Sequence, residues 1–211
     1  MRYGIILIFI LSFILLVNKA FSTTNDEARL FVDGLGQKVL DVINSPLSEA
    51  EKQKQLQQMF VENVDIEWMS NFVLAQGRKQ ATEDQKIRYM NAYKKYLLAR
   101  YTKNFSDYTG SKYTITGVKD EGNGEFSVAM QIKATKQQAE TIAGYRLLTQ
   151  STGEFRIIDI IVEGVSLITT QRADFDSVLS KSGIEGLIKA IEEKAQVEQS
   201  GGSKSPKKGS K

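Results

Sequence analysis

An α+β domain is the fold class this 211-residue sequence predicts: a curved, four-stranded antiparallel sheet wrapped by about six helices. Three observations lead there. Apolar residues recur at helical spacing from Ala28 to Tyr101, and from Tyr108 the period drops to two. The stretch Phe155 to Val162 is β-branched or aromatic except at Arg156 and Asp159, so it reads as a strand covered on both faces. Gly164 then breaks that run and helical spacing returns from Val165. Helices, then strands joined by short turns, then helices again are the order of an α+β fold, not of alternating βαβ units.

Thr24-Asn25-Asp26-Glu27 has the form of a capping box, and Ala28, Phe31, Leu35, Val39 and Val42 follow on one face until Asn44-Ser45-Pro46 ends the helix. Ser48 to Glu51 repeats the signal and opens a polar helix with Leu56, Met59 and Phe60 on its apolar side. Asp65 caps a short third helix carrying Ile66, Trp68, Met69, Phe72 and Val73, with Gly77 as its expected stop. Thr82 to Gln85 starts what should be the longest helix, reaching about Ser106, with Met90, Tyr93, Leu97 and Tyr101 on one stripe. Tyr113 and Ile115 begin the first strand, and Glu121 to Gly124 turns it back. Phe126, Val128, Met130 and Ile132 alternate with smaller or polar residues in the second strand. A third strand spans about Ile142 to Gln150, and Ser151-Thr152-Gly153 turns into the fourth. Two helices, about Val165 to Lys181 and Ile184 to Glu198, close the domain.

The ends differ in kind from this middle. Arg2, the apolar run Ile5 to Val17 and the small residues at Ala20 and Ser22 describe a secretory signal peptide over residues 1–22, with a retained membrane anchor as the alternative. A domain over 23–198 follows, and residues 199–211 collapse to Ser, Gly, Lys and Pro, a disordered tail. With no cysteine, a lipoprotein anchor is excluded, and an exported chain would rely on packing without disulfides. The formal charge of +3 comes from the ends. Setting aside Arg2, Lys19 and the four tail lysines leaves 22 basic against 25 acidic residues, which is no nucleic-acid footprint.

The inventory for catalysis is thin. Histidine and cysteine are both missing, which removes the usual neutral-pH proton carrier, thiol nucleophiles and the commonest metal ligands, so no catalytic or metal site is assigned. Asp159 inside its apolar strand, four residues before Glu163, could serve as a buried base in a small cone-shaped α+β (NTF2-like) enzyme. The plainer reading pairs Asp159 with Arg146 or Arg156. The stripe Met90, Tyr93, Leu97, Tyr101 faces a sheet that contributes Phe126, Val128, Met130 and Ile132; these residues suit a filled core of a structural or adaptor domain and the lining of a pocket equally.

Val162-Glu-Gly-Val-Ser-Leu167, followed by Gln171-Arg172 and Phe175, resembles the signature of the MlaC family of periplasmic phospholipid-binding proteins, also described as toluene-tolerance auxiliary transport components. Phe72-Val73-Leu74 with Gly77 and the Thr82 helix start, and Tyr96 to Tyr101 with Tyr108, are similar to two further blocks of that family. Two positions depart: Arg78 stands where an aromatic residue is usual, and Gln171 where tyrosine is frequent. The resemblance, from about Asp26 to Lys194, implies a monomeric carrier with no cofactor and phospholipid as its ligand. It also implies an acyl-chain cavity between sheet and helices, and partners in an outer-membrane lipoprotein complex and an inner-membrane ABC transporter with an MCE-domain ring. The lining expected on that basis is Tyr93, Leu97 and Tyr101 from the helix and Val128, Met130, Tyr145 and Val162 from the sheet, with Val165 and Leu167 near the mouth.

Overall fold

The computed structural model describes residues 24–103, 105–133, 135 and 139–200; the expected signal peptide and nearly all of the expected tail lie outside them. Helices α1 (Asn25–Asn44), α2 (Glu49–Asn63), α3 (Ile66–Leu74), α4 (Gly77–Gln80) and α5 (Glu83–Tyr101) come first. A 3-10 turn at Phe105–Tyr108 leads into strands β1 (Tyr113–Gly122), β2 (Glu125–Ile132), β3 (Thr141–Thr149), β4 (Phe155–Val162) and β5 (Val165–Ser166), and α6 (Leu167–Gln199) follows.

The helix starts stand where their polar side chains put them. Thr24 with Glu27, Ser48 with Glu51 and Thr82 with Gln85 form reciprocal capping boxes, and Asp65 accepts the Trp68 N–H at 2.9 Å. The helix ends differ from the sequence reading. α3 closes at Leu74, followed by Ala75 at φ 48°, so Gly77 is not its stop but the first residue of α4. Gly77 is buried where a Cβ would come within 2.6 Å of Leu179 Cδ2, so its lack of a side chain lets α4 lie against α6. α5 ends at Tyr101, short of the expected Ser106, where the Thr102 hydroxyl bonds back to the Leu98 carbonyl, and it is longer than either half of α6, which divides at Gly183. The two expected terminal helices form one run broken at Gly183, whose φ of 64° and ψ of −173° suit glycine almost alone.

The sheet is antiparallel in the order β1-β2-β3-β4-β5, five strands where four were expected. The extra strand is short and has a local cause. Val162 pairs with Val165 across the two residues Glu163 and Gly164, at φ 50° and 79°. Two left-handed residues in a two-residue loop match the twist of a hairpin, so Val165 begins a strand and not a helix. Asn123-Gly124, at φ 54° and 78°, makes the same kind of connection between β1 and β2. β4 is therefore not central. β3 flanks it on one side, and on the other only β5 and the α2–α3 corner, where Val64 bridges Ile157 and the Asp65 N–H reaches the Ile157 carbonyl at 2.9 Å. Ile157, Ile158 and Asp159 are nonetheless all buried, as a strand covered on both faces requires.

Residues opposite one another in the ladders share a face: Ile115, Val118, Phe126, Val128, Met130, Ala143, Tyr145, Leu147 and Ile157 line the covered one. α1 lies on it through Phe31, whose ring meets Phe155 at 5.8 Å, with Phe155 edge-on to Phe126 at 5.4 Å. The α5 stripe, expected to face the sheet, meets α6 first: Phe175 takes the Tyr93 ring at 6.2 Å and the Tyr96 ring at 6.4 Å. A Cβ added at Gly164 would meet nothing within 4 Å, so Gly164→Ala tests the turn conformation alone. It should cost about 1–2 kcal/mol, the penalty for a left-handed L-residue, in chemical denaturation; unchanged stability would contradict the hairpin.

Candidate functional site

Asp159 is 1% exposed, and among the described residues no cation pairs with its carboxylate. Arg146, its cross-strand partner in register, turns to Glu125 at 2.7 Å, and Arg156 donates to the carbonyls of Val61 and Glu62. The arginine pairing expected from the sequence is therefore replaced by a helix terminus. Asp159 Oδ2 accepts the Ser166 hydroxyl at 2.6 Å, and Oδ1 accepts the backbone N–H of buried Ile168 at 3.2 Å. Ser166 is the N-cap of α6 and also accepts the Thr169 N–H at 3.2 Å. Strand β4 thus supplies a negative charge to the first turn of α6, where unpaired N–H groups and the helix dipole favour one. The β4–β5 hairpin makes this possible by returning the chain so that Ser166 sits opposite Ile161. Glu163 fastens the hairpin to β3: its N–H donates to the Ile142 carbonyl at 2.9 Å and its carboxylate accepts the Ile142 N–H at 3.0 Å.

Above this clamp the inward stripe of α6 runs Ile168, Gln171, Phe175, all buried. Tyr93 donates its hydroxyl to Gln171 Oε1 at 2.6 Å. Burial pushes the Tyr93 phenol well above its usual range, so this hydroxyl keeps its proton and remains a donor. The sequence reading missed Gln171 as a buried polar residue, although its place three after Ile168 and four before Phe175 marks it as inward-facing.

Of the expected lining residues, Tyr93 and Leu97 have no exposed surface and share one apolar cluster with Phe126, Val128 and Met130. Tyr101 and Tyr145 pack against that cluster from its margin. Val128 lies opposite Tyr145 in the β2–β3 ladder, with Met130 two residues along the same face. Tyr145 keeps part of its surface accessible, yet burial raises its phenol above its usual range. Val162 and Val165 face each other across the hairpin at 47% and 60% exposure, with Leu167 half-buried beside them. The structure therefore brings Val128, Met130 and Tyr145 together on one face of the sheet, ties Tyr93 to α6, and leaves the valine pair exposed on the β4–β5 hairpin. Among the described residues there is no group of acidic side chains that could hold a metal, and no helix long and apolar enough to cross a membrane.

The model of the family described as MlaC protein matches residues 34–193. The chain belongs to the MlaC family. It is 22% identical, over 92% of its own length and 93% of the relative, to the intermembrane phospholipid transport system binding protein MlaC of Haemophilus influenzae. Among solved structures, a phospholipid-binding protein from Ralstonia solanacearum in complex with a phospholipid matches at a TM-score of 0.71 and 18% identity. That match covers 81% of this chain and 98% of the other. At this identity the likeness speaks for the fold, and the sheet, the kinked terminal helix and the β4–β5 corner are parts of an MlaC domain.

If Asp159 serves this MlaC domain by capping α6, Asp159→Asn keeps the shape but removes the charge. It should lower stability by about 1–2 kcal/mol in denaturant unfolding, the size of a charge–dipole contact in a partly enclosed site. A variant as stable as its parent would remove the clamp from this account.

Proposed function

We propose that this protein is a periplasmic phospholipid carrier. It encloses acyl chains between the covered face of the sheet and the α5–α6 helices. It shuttles lipid between an outer-membrane lipoprotein complex and an inner-membrane ABC transporter with an MCE-domain ring, and so maintains outer-membrane lipid asymmetry. It is exported by its N-terminal segment, works as a monomer through binding and not catalysis, and needs no cofactor. The observation that carries this reading is the fold shared with nearly the whole of a relative solved with a phospholipid in place. Membership of MlaC and the transport-system name of the Haemophilus relative support it.

The physical case is one of transfer energy. Two acyl chains hold roughly 30 methylenes at about 0.8 kcal/mol each, so a free phospholipid scarcely leaves a bilayer for water. A carrier must replace that apolar surrounding and release it without chemistry. In this reading Val128, Met130, Tyr145 and Val162 form the sheet wall and Tyr93, Leu97 and Tyr101 the helix wall, with Val165 and Leu167 at the rim. Tyr145 suits such a wall: it is surrounded by protein, yet its ring still has surface to offer. Methionine at 130 adapts to chains of different length.

A filled core and a lined cavity respond differently to a charge. In a filled core, Met130→Asp buries an unpaired carboxylate and unfolds the protein. In a cavity the carboxylate meets water once lipid is gone. The expected result is a folded Met130→Asp protein whose lipid extract is empty, beside a parent whose extract contains phospholipid. An unfolded variant together with a lipid-free parent would overturn the carrier reading.

A further inference from the structure

A second, partly exposed cluster lies where α3 meets α6. Arg172 of α6 sets its guanidinium over the Phe72 ring of α3, 5.1 Å from the centroid, and Phe72 is itself stacked on Trp68 at 5.4 Å with the planes 9° apart. Stacking covers one face of the guanidinium and leaves the N–H groups around its edge. Those donors are unspent: among the described residues Arg172 has no hydrogen bond and no ion pair. Arg29, Arg88, Arg100, Arg146 and Arg156 each hold a protein oxygen. Trp68, the sole tryptophan of the chain, is half-buried, and among the described residues no hydrogen bond holds its indole N–H. Such a ring has an apolar body to bury and a polar edge to keep wet. The corner beside this stack carries more positive charge. Gly77 packs on Leu179, two turns beyond Arg172 on the same stripe of α6, and the next residues, Arg78 and Lys79, are exposed.

From this geometry we propose that the Trp68–Phe72–Arg172 stack is a docking platform for the phosphate face of a phospholipid bilayer. A planar guanidinium with a free edge binds a phosphate through two parallel N–H bonds, which a lysine does not reproduce. An aromatic residue of Trp type prefers the headgroup level of a bilayer, apolar body inward and N–H outward. Arg78 and Lys79 add charge of the sign that anionic headgroups attract. Two exposed carboxylates, Glu67 and Asp176, border the surface and hold its net charge low, so contact depends on the stacked fork more than on bulk charge. The platform involves none of the residues assigned to the acyl-chain walls, so the carrier reading and this proposal fail separately.

The test uses the full mature chain and sucrose-loaded vesicles, one set of phosphatidylethanolamine with phosphatidylglycerol and one of phosphatidylcholine alone. Trp68 fluorescence should shift to the blue with the anionic vesicles, and the protein should sediment with them. Arg172→Ala should reduce the bound fraction about fivefold, the equivalent of roughly 1 kcal/mol for one cation at an anionic surface. Arg172→Lys, which keeps the charge, should fail to restore it, and Trp68→Phe should weaken binding with the melting temperature preserved. A chain ending at Ser200 separates this surface from the lysine tail and should retain the Arg172 effect. An unmoved Trp68 spectrum, equal sedimentation of parent and Arg172→Ala, or binding that depends on the tail alone would overturn the proposal.

Discussion

The carboxyl group of Asp159 is buried and, among the described residues, has no cation on it, and the first turn of α6 is what makes that position tolerable. A carboxylate taken from water into an apolar layer costs several kcal/mol unless donors replace the water. Here the donors are the N-cap hydroxyl of Ser166 and the N–H of Ile168. The contact couples the sheet to the terminal helix, and much else follows from where it fixes that helix. Phe175, two turns on, receives Tyr93 and Tyr96 of α5, and Leu179 receives Gly77 of α4. At the far end Arg100 pairs with Glu198 at 2.6 Å, and Lys103 caps the last carbonyls. Both ends of α6 are thus tied to another element, and the break at Gly183 lets the two halves follow different neighbours.

The same arrangement leaves the sheet open and covered by helices. Two packed sheets fill the space between them with their own interdigitating side chains. Here α1 covers one part of the curved face, α3 and α6 lie against β4, and α5 packs on α6. The wall residues of the proposed cavity therefore come from two layers anchored independently, one by cross-strand pairing and one by helix packing. The Asp159 corner, the Asp65–Ile157 bond and the apolar cluster are among the contacts that join them.

How much of this the sequence disclosed depends on the range of the interaction. Capping boxes at Thr24, Ser48 and Thr82 involve residues three apart, and all three stand where they were read. The Asn123-Gly124 turn was legible because asparagine and glycine are the residues that accept left-handed backbone. Glu163-Gly164 makes an equivalent turn, but glutamate rarely adopts that conformation, so Val165 was read as helical. Its hold on Ile142, 21 residues away, supplies the reason and is invisible locally. Asp159 was correctly marked as unusual, yet its partner was misread, since an arginine opposite in register is a better guess than a helix terminus not yet placed. The α5 stripe was legible as buried but not as turned towards Phe175. Periodicity gives a face without saying what meets it. The fine lining of the site lies at the same limit, because an apolar wall and an apolar core use the same residues.

The measurement that bears most directly on the central claim is native mass spectrometry of the protein isolated from a bacterial envelope without detergent. The account predicts a folded species heavier than the mature chain by the mass of a phospholipid, and loss of that excess on denaturation. A folded protein at the bare mass of the chain, which also takes up no phospholipid from vesicles, would contradict it.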